Sequence, residues 1–170
     1  MLGNLAHVAL EYFADDGRFP NSNLPVLIYR QALSSDDVSA EALEKLFDGN
    51  GWPSQWRAGV YDYDHYHSTA HECLGVASGK ATLRLGGPEG RDIAVKAGDV
   101  LLLPAGTAHR CVGAGEDFLV VGAYPPGQDW DVLTGEADDR PAADQHIAQV
   151  PLPKTDPVGG QGGPALEKWR

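Results

Sequence analysis

The chain has 170 residues, 42% of them apolar, and its 24 Asp and Glu against 13 Lys and Arg give a net charge of −11. That length and apolar content allow one ordinary domain with its own core and exclude a disordered chain. No stretch reaches the ~20 consecutive apolar residues of a membrane span, and so acidic a surface repels phosphate backbones and anionic lipid, which argues against nucleic-acid and membrane partners.

In chain order, the opening MLGNLAHVALEYFADDG carries acids and lacks a basic leader, so no secretory signal is expected and the expected location is the cytoplasm. HVALEYF reads as a strand with Val8, Leu10 and Tyr12 on one face, with a short helix as the alternative. A second strand is expected over 24–33. A helix follows, with N-cap choices at Ser34, Ser35 and Asp36 and a stripe of Val38, Ala42, Leu43, Leu46 and Phe47. Gly49-Asn50-Gly51 and Pro53 end it.

From 56 to 124 the pattern is strand after strand, at 57–67, 72–78, 81–85, 92–95, 100–103, 110–112 and 117–124, separated by Gly and Pro turns. Many short strands of this kind predict an antiparallel sandwich or small barrel. Residues 127–170 change character, with VPLPKTDPVGGQGGP rich in Pro and Gly and few apolar runs. This extension is expected either to wrap the barrel or a partner, with Trp130 and Trp169 as its anchors, or to hang free. The expected organisation is therefore 1–55 as strands and a helix packing on the barrel, 56–126 as the barrel core and 127–170 as the extension. The two cysteines, Cys73 and Cys111, are too few for a disulfide scaffold and are expected reduced.

The chemistry-bearing stretch is GVYDYDHYHSTAHECLGVASG, 59–79, followed by GDVLLLPAGTAH, 98–109. In an extended strand, residues of like parity share a face. His65 and His67 then point the same way as Arg57, Tyr61 and Tyr63. Glu72 follows a bend and can return to the same point, and His109 comes from a separate hairpin. Imidazoles and a carboxylate gathered in this way predict a transition-metal site.

The spacing resembles the cupin superfamily, and in particular its small, germin-like, single-domain members. The first cupin motif, G-x5-H-x-H-x(3,4)-E-x6-G, is met by Gly59, His65, His67, Glu72 and Gly79. The second, G-x5-P-x-G-x2-H-x3-N, is met by Gly98, Pro104, Gly106 and His109, with Gly113 in place of its final Asn. What the resemblance implies is an all-β, double-stranded β-helix (jelly-roll) barrel, here with one N-terminal flanking helix. It also implies one divalent transition metal per chain (Fe, Mn, Ni, Co, Cu or Zn), held by His65, His67, Glu72 and His109.

Other residues are candidates for catalytic roles. Tyr61 and Tyr63 are expected either to line the pocket or simply to fill the barrel, and Arg57 either to clamp a substrate carboxylate or to form a surface ion pair. His71 would stand in the carboxylate position under the shorter motif spacer. The six residues between Glu72 and Gly79 favour Glu72 there, leaving His71 outward or beside the site as a hydrogen-bond donor or proton shuttle. Leu74, Val76 and Cys111 are expected as apolar wall.

Two classes of function follow. The first is a metal-dependent enzyme on a small organic molecule: an oxidoreductase of the dioxygenase type or, alternatively, an isomerase or decarboxylase of a small organic acid. The second is a non-catalytic small-ligand-binding barrel. The resemblance and the edges of an open jelly roll both point to a homodimer.

Overall fold

The computed structural model describes residues 8–170, so the start of the expected first strand, at His7, lies outside the described residues. The strands are β1 (Ala9–Phe13), β2 (Ser22–Tyr29), β3 (Ser54–Ala58), β4 (Glu72–Ser78), β5 (Lys80–Leu85), β6 (Arg91–Lys96), β7 (Val100–Leu103), β8 (His109–Ala114) and β9 (Leu119–Ala123). The helices are α1 (Ala40–Gly49), α2 (Ala142–Gln149) and α3 (Ala165–Lys168).

All strand pairs are antiparallel, in a six-stranded sheet of order β1-β2-β7-β4-β9-β3 and a three-stranded sheet of order β6-β5-β8. Val26, Ile28, Leu74, Val76, Leu101, Leu103 and Val120 of the large sheet meet Leu83, Leu85, Val95 and Cys111 of the small one in a shared core. Two antiparallel sheets closed over such a core make the jelly roll.

The large sheet is buried on both faces. Its alternate residues Leu27, Tyr29, Cys73, Val100, Leu102 and Val121 pack against Leu43 and Phe47 of α1 and against Trp52, Val158 and Trp169. This is why Val100–Leu103 is apolar at every position, whereas β5 and β6 alternate with solvent. Helix α1 starts later than expected, at Ala40, because Ser39 is the residue whose side chain caps it by accepting from the Ala42 N–H at 3.0 Å. Such a cap is worth ~1 kcal/mol. Removing the fully buried Phe47 ring would cost ~3–5 kcal/mol, so packing, not capping, holds the helix.

The C-terminal extension contains α2 and α3, so the flanking helix of the N-terminal part has two companions; Val158, Ala165 and Trp169 pack on the large sheet, while Ala143 of α2 packs with Phe19, Tyr66 and Ala108. Asp156 is wholly buried and accepts from Tyr29 Oη at 2.6 Å, from the Val158, Gly159 and Ala165 N–H groups at 2.8, 2.9 and 2.8 Å, and from no exposed group. The Trp169 indole donates to the Pro25 carbonyl at 2.8 Å, and the Trp52 indole to the Thr155 carbonyl at 2.9 Å.

The expected long strand over 57–67 is not formed. β3 ends at Ala58, residues 59–64 are irregular, and His65 and Tyr66 make only isolated bridges. Gly59 opens the break, and the consequence for side-chain direction is felt throughout the site.

Candidate metal centre

His65 forms an antiparallel bridge with His109, the first residue of β8: His65 N–H donates to the His109 carbonyl at 3.1 Å and His109 N–H returns to the His65 carbonyl at 2.9 Å. The next residue, Tyr66, makes the same exchange with Leu133 of the C-terminal extension, at 2.9 Å each way. The segment carrying His65 and His67 is thus pinned from two distant parts of the chain. His65, His67 and His109 are all buried, and one ring nitrogen from each lies within 4.8 Å of the others.

The orientation of the rings follows from their outer nitrogens. Nδ1 of His65 faces the Tyr63 carbonyl at 3.0 Å, Nδ1 of His109 faces the Thr107 carbonyl at 3.0 Å, and Nδ1 of His67 faces the Asp131 carbonyl. A carbonyl only accepts, so each Nδ1 is assigned the proton and each Nε2 is left to the interior. Fixing the tautomer through Nδ1 is how proteins present imidazole nitrogens to metals.

Glu72 opens β4 against them. Its Oε2 lies 3.0 Å from His67 Nε2 and accepts the Tyr124 hydroxyl at 2.6 Å; its Oε1 lies 2.9 Å from His109 Nε2 but has no aligned donor. Burial would raise the Glu72 carboxyl, but the His67 charge and the contacts with His109 and His67 hold it well below the usual carboxylate range. Burial likewise pulls His67 down, and the charge and hydrogen bond of Glu72 more than offset it, carrying the imidazole up to about 9. His65 is pushed down to about 3, by burial first and by the neighbouring His109 second. The Tyr124 phenol is held above its ordinary range by burial and by Glu72, so it stays protonated. Three inward nitrogens beside a buried carboxylate oxygen without a hydrogen bond fit a cation: the buried cluster of His65, His67 and His109 could hold a metal ion.

A cavity of about 290 Å³ opens directly onto these groups, walled by Trp56, Tyr61, Tyr124, Trp130 and Val132. Trp56 reaches it because its indole lies flat on Gly122, where a Cβ would come within 2.1 Å of the ring. From there its Nε1 donates to Tyr124 Oη at 2.9 Å. The opposite wall is pinned by Asp131, whose carboxylate accepts from the Ser68 N–H at 2.6 Å and from the Ser68 hydroxyl, and whose own N–H donates to Thr69 Oγ1 at 3.1 Å.

Of the residues expected beside the ligands, Tyr61 alone turns its ring to the cavity. Tyr63 does not line the cavity; it stacks on Tyr61 with centroids 5.0 Å apart, its ring meets His65 edge-on at 5.7 Å, and its carbonyl holds His65 Nδ1. Arg57 points the other way, donating to Glu44 of α1 at 2.9 and 2.7 Å with Glu41 at 3.5 Å. The shared-face argument fails for Arg57 because the strand stops at Ala58, and its neighbour Trp56 takes the inward position. His71 precedes Glu72 and falls on the opposite face of the sheet, beside Trp169 at 4.8 Å between rings; its Nδ1 accepts the Ala105 N–H at 2.9 Å. Leu74 lines the cavity, whereas Val76 and Cys111 lie in the core between the sheets.

Trp56, Tyr124, Trp130, Asp131 and Val132 were not expected from the sequence as part of the site. Tyr124 was findable, since it continues the parity of Val120 and Gly122 just beyond β9. Asp131 carried no signal, because it acts through its backbone carbonyl from a segment whose path only the fold reveals.

The profile of the family described as "Cupin domain" matches residues 56–121. An uncharacterised protein of Bacillus subtilis (strain 168), YjlB, is 38% identical over 159 residues, covering 93% of this chain and 94% of the relative. Among solved structures, the chain is similar to procruciferin, an 11S globulin from Brassica napus (20% identity, 46% of this chain, TM-score 0.39). It is also similar to acireductone dioxygenase from Bacillus anthracis, solved with a cadmium ion in its active centre (16% identity, 69% of this chain, TM-score 0.35). It spans 21% and 58% of those two chains.

Proposed function

Because this chain belongs to the cupin superfamily, we propose that it is a metal-dependent enzyme of the dioxygenase type, acting on a small organic molecule bound beside His65, His67 and His109. The observation that carries this reading is the convergence of three Nε2 atoms, each fixed from behind by a backbone carbonyl, at the wall of a cavity of about 290 Å³. Glu72 is the fourth ligand in this reading, through the Oε1 that lacks a hydrogen bond. A divalent transition ion held there, one per chain, supplies Lewis acidity and, if redox-active, one-electron chemistry.

The chain's own residues then have separable tasks. Tyr124 and Trp56 orient the Glu72 carboxylate, Asp131 orients His67, and the Tyr61 phenol is the hydrogen-bonding group that the substrate meets. Arg57 has no part in it. The reading includes a homodimer in the cytoplasm with no nucleic-acid or membrane partner. Supporting it are the net charge of −11 and two free, buried cysteines, and no helix among the described residues is long and apolar enough to cross a membrane.

Elemental analysis of the purified protein, together with oxygen uptake over a panel of diketones, thiols, flavonols and hydroxy acids, tests the proposal. The expected result is one transition metal per chain and turnover of at least one compound, both lost in His65→Ala and both kept in Arg57→Ala. Metal content that is unchanged in His65→Ala would overturn the ligand assignment. Absence of turnover with every metal would overturn the enzymatic one.

A further inference from the structure

The walls of the cavity carry more information than its ligands. No Lys or Arg is among the residues lining it, and Arg57, the cationic candidate that the sequence offered, is engaged by Glu44 on the other side of β3. The walls are aromatic and aliphatic instead: Trp56, Val60, Tyr61, Tyr124, Trp130 and Val132. Trp130 stacks on Tyr124 with ring centroids 4.1 Å apart and planes within 3° of parallel, which fixes a flat, rigid wall above Glu72. Charge bookkeeping points the same way. A divalent ion and the Glu72 carboxylate sum to one positive charge, so the site neutralises one negative charge on a ligand. A second negative charge would be buried among apolar walls with no partner, which is strongly unfavourable.

Resting on the metal-centre reading above, we infer that the cavity takes a planar, largely apolar molecule that binds through an oxygen as a neutral or singly charged species, and not a dicarboxylate. A volume of about 290 Å³ holds ~10–15 non-hydrogen atoms. That is the size of one or two fused rings bearing hydroxyl or keto groups. Trp130 is the specificity-determining residue: it presents a flat face at low entropic cost, and ring-on-ring contacts of this kind reward planar ligands over branched or charged ones. Tyr61 on the other side of the ligand cluster, itself braced by Tyr63, supplies a second aromatic surface.

The test uses the full chain loaded with Zn²⁺, a redox-silent ion, so that binding is read without turnover. Isothermal titration calorimetry compares 2,3-dihydroxynaphthalene with malonate. The expected result is that the naphthalene binds at least about tenfold more tightly, that Trp130→Ala weakens it by about tenfold or more while malonate and zinc content are unaffected, and that Trp130→Phe retains most of the affinity. Trp130 is 38% exposed, so its replacement leaves the core intact. Zinc bound at one per chain with malonate binding as tightly as the naphthalene, or with neither binding, overturns the ligand class. Equal naphthalene affinity in Trp130→Ala overturns the role of Trp130. Failure to retain zinc at all, measured by elemental analysis before any titration, instead overturns the metal-centre reading on which the inference rests.

Discussion

The Tyr124 hydroxyl donates to Glu72 Oε2 at 2.6 Å while accepting from the Trp56 indole at 2.9 Å, so a single phenol from the end of the large sheet shares Oε2 with His67 and leaves Oε1 as the oxygen without a hydrogen bond. Oε2 is already engaged, and Oε1 is the atom left without an aligned donor.

Replacing Tyr124 by Phe removes the donor without changing the shape of the wall. The Trp56 indole N–H then loses its partner and Glu72 Oε2 keeps only His67, which costs ~1–3 kcal/mol of stability. Metal affinity is expected to fall by ~10–100-fold while the stoichiometry stays at one, as when a residue orienting a ligand is removed. Denaturant unfolding and competitive metal titration of the variant measure the two effects separately.

The metal-free protein is expected to be most stable near pH 6.5. Below that, His65 and His71 are held in the fold at about 3 and about 4, so the unfolded chain binds protons that the fold refuses, and stability falls as the pH drops from 6.5. Glu72, lowered in the fold, adds to this loss once the pH passes below its ordinary 4.5. Above 6.5 the sign reverses: His67, raised to about 9, binds a proton in the fold that the unfolded chain has lost, and this contribution disappears as the pH rises through about 9. Because a metal takes the neutral imidazole, the gain in melting temperature on adding metal should grow from pH 6.5 to pH 9. Melting curves with and without metal across pH 4–9 check both slopes, and a flat metal-free profile would contradict the assignment of the His67–Glu72 pair.

Asp156 ties the C-terminal extension to the sheet through Tyr29 and three backbone N–H groups. Asp156→Ala leaves the Tyr29 hydroxyl and those amides buried and unpaired, and is expected to destabilise the protein by ~3–5 kcal/mol. The loss should appear as a lower denaturant midpoint. Metal content per folded molecule should remain at the wild-type value, because none of these groups touches the histidines.

Among the described residues, the six-stranded sheet ends at β1 and β3, each hydrogen-bonded on one side only, and Tyr12 on β1 is 60% exposed. An edge of this kind is suited to pairing with a second copy about a two-fold axis. Size-exclusion chromatography with light scattering should give the mass of a dimer at micromolar concentration, and Glu11→Pro on that edge should shift it toward the monomer. A wild-type monomer would refute the dimer.

By itself the sequence determined the class of fold and the identity of the histidines that could hold a metal. His65, His67, Glu72 and His109 stand at spacings that a bend and a hairpin can close, and the alternation of apolar residues with Gly and Pro turns leaves few options but an antiparallel barrel. Which other side chains share that cavity was decided by tertiary structure. Parity along a strand predicts direction only while the chain stays extended, and the break after Ala58 turned Arg57 outward to Glu44 and put Trp56 on Gly122. Tyr124, Trp130 and Asp131 reach the site from sequence-distant segments through packing and backbone hydrogen bonds, which leave no local pattern to read. The histidine cluster was legible because the spacing of His65, His67, Glu72 and His109 follows a motif written in the chain; the walls beside it were not, because they are assembled across the whole fold.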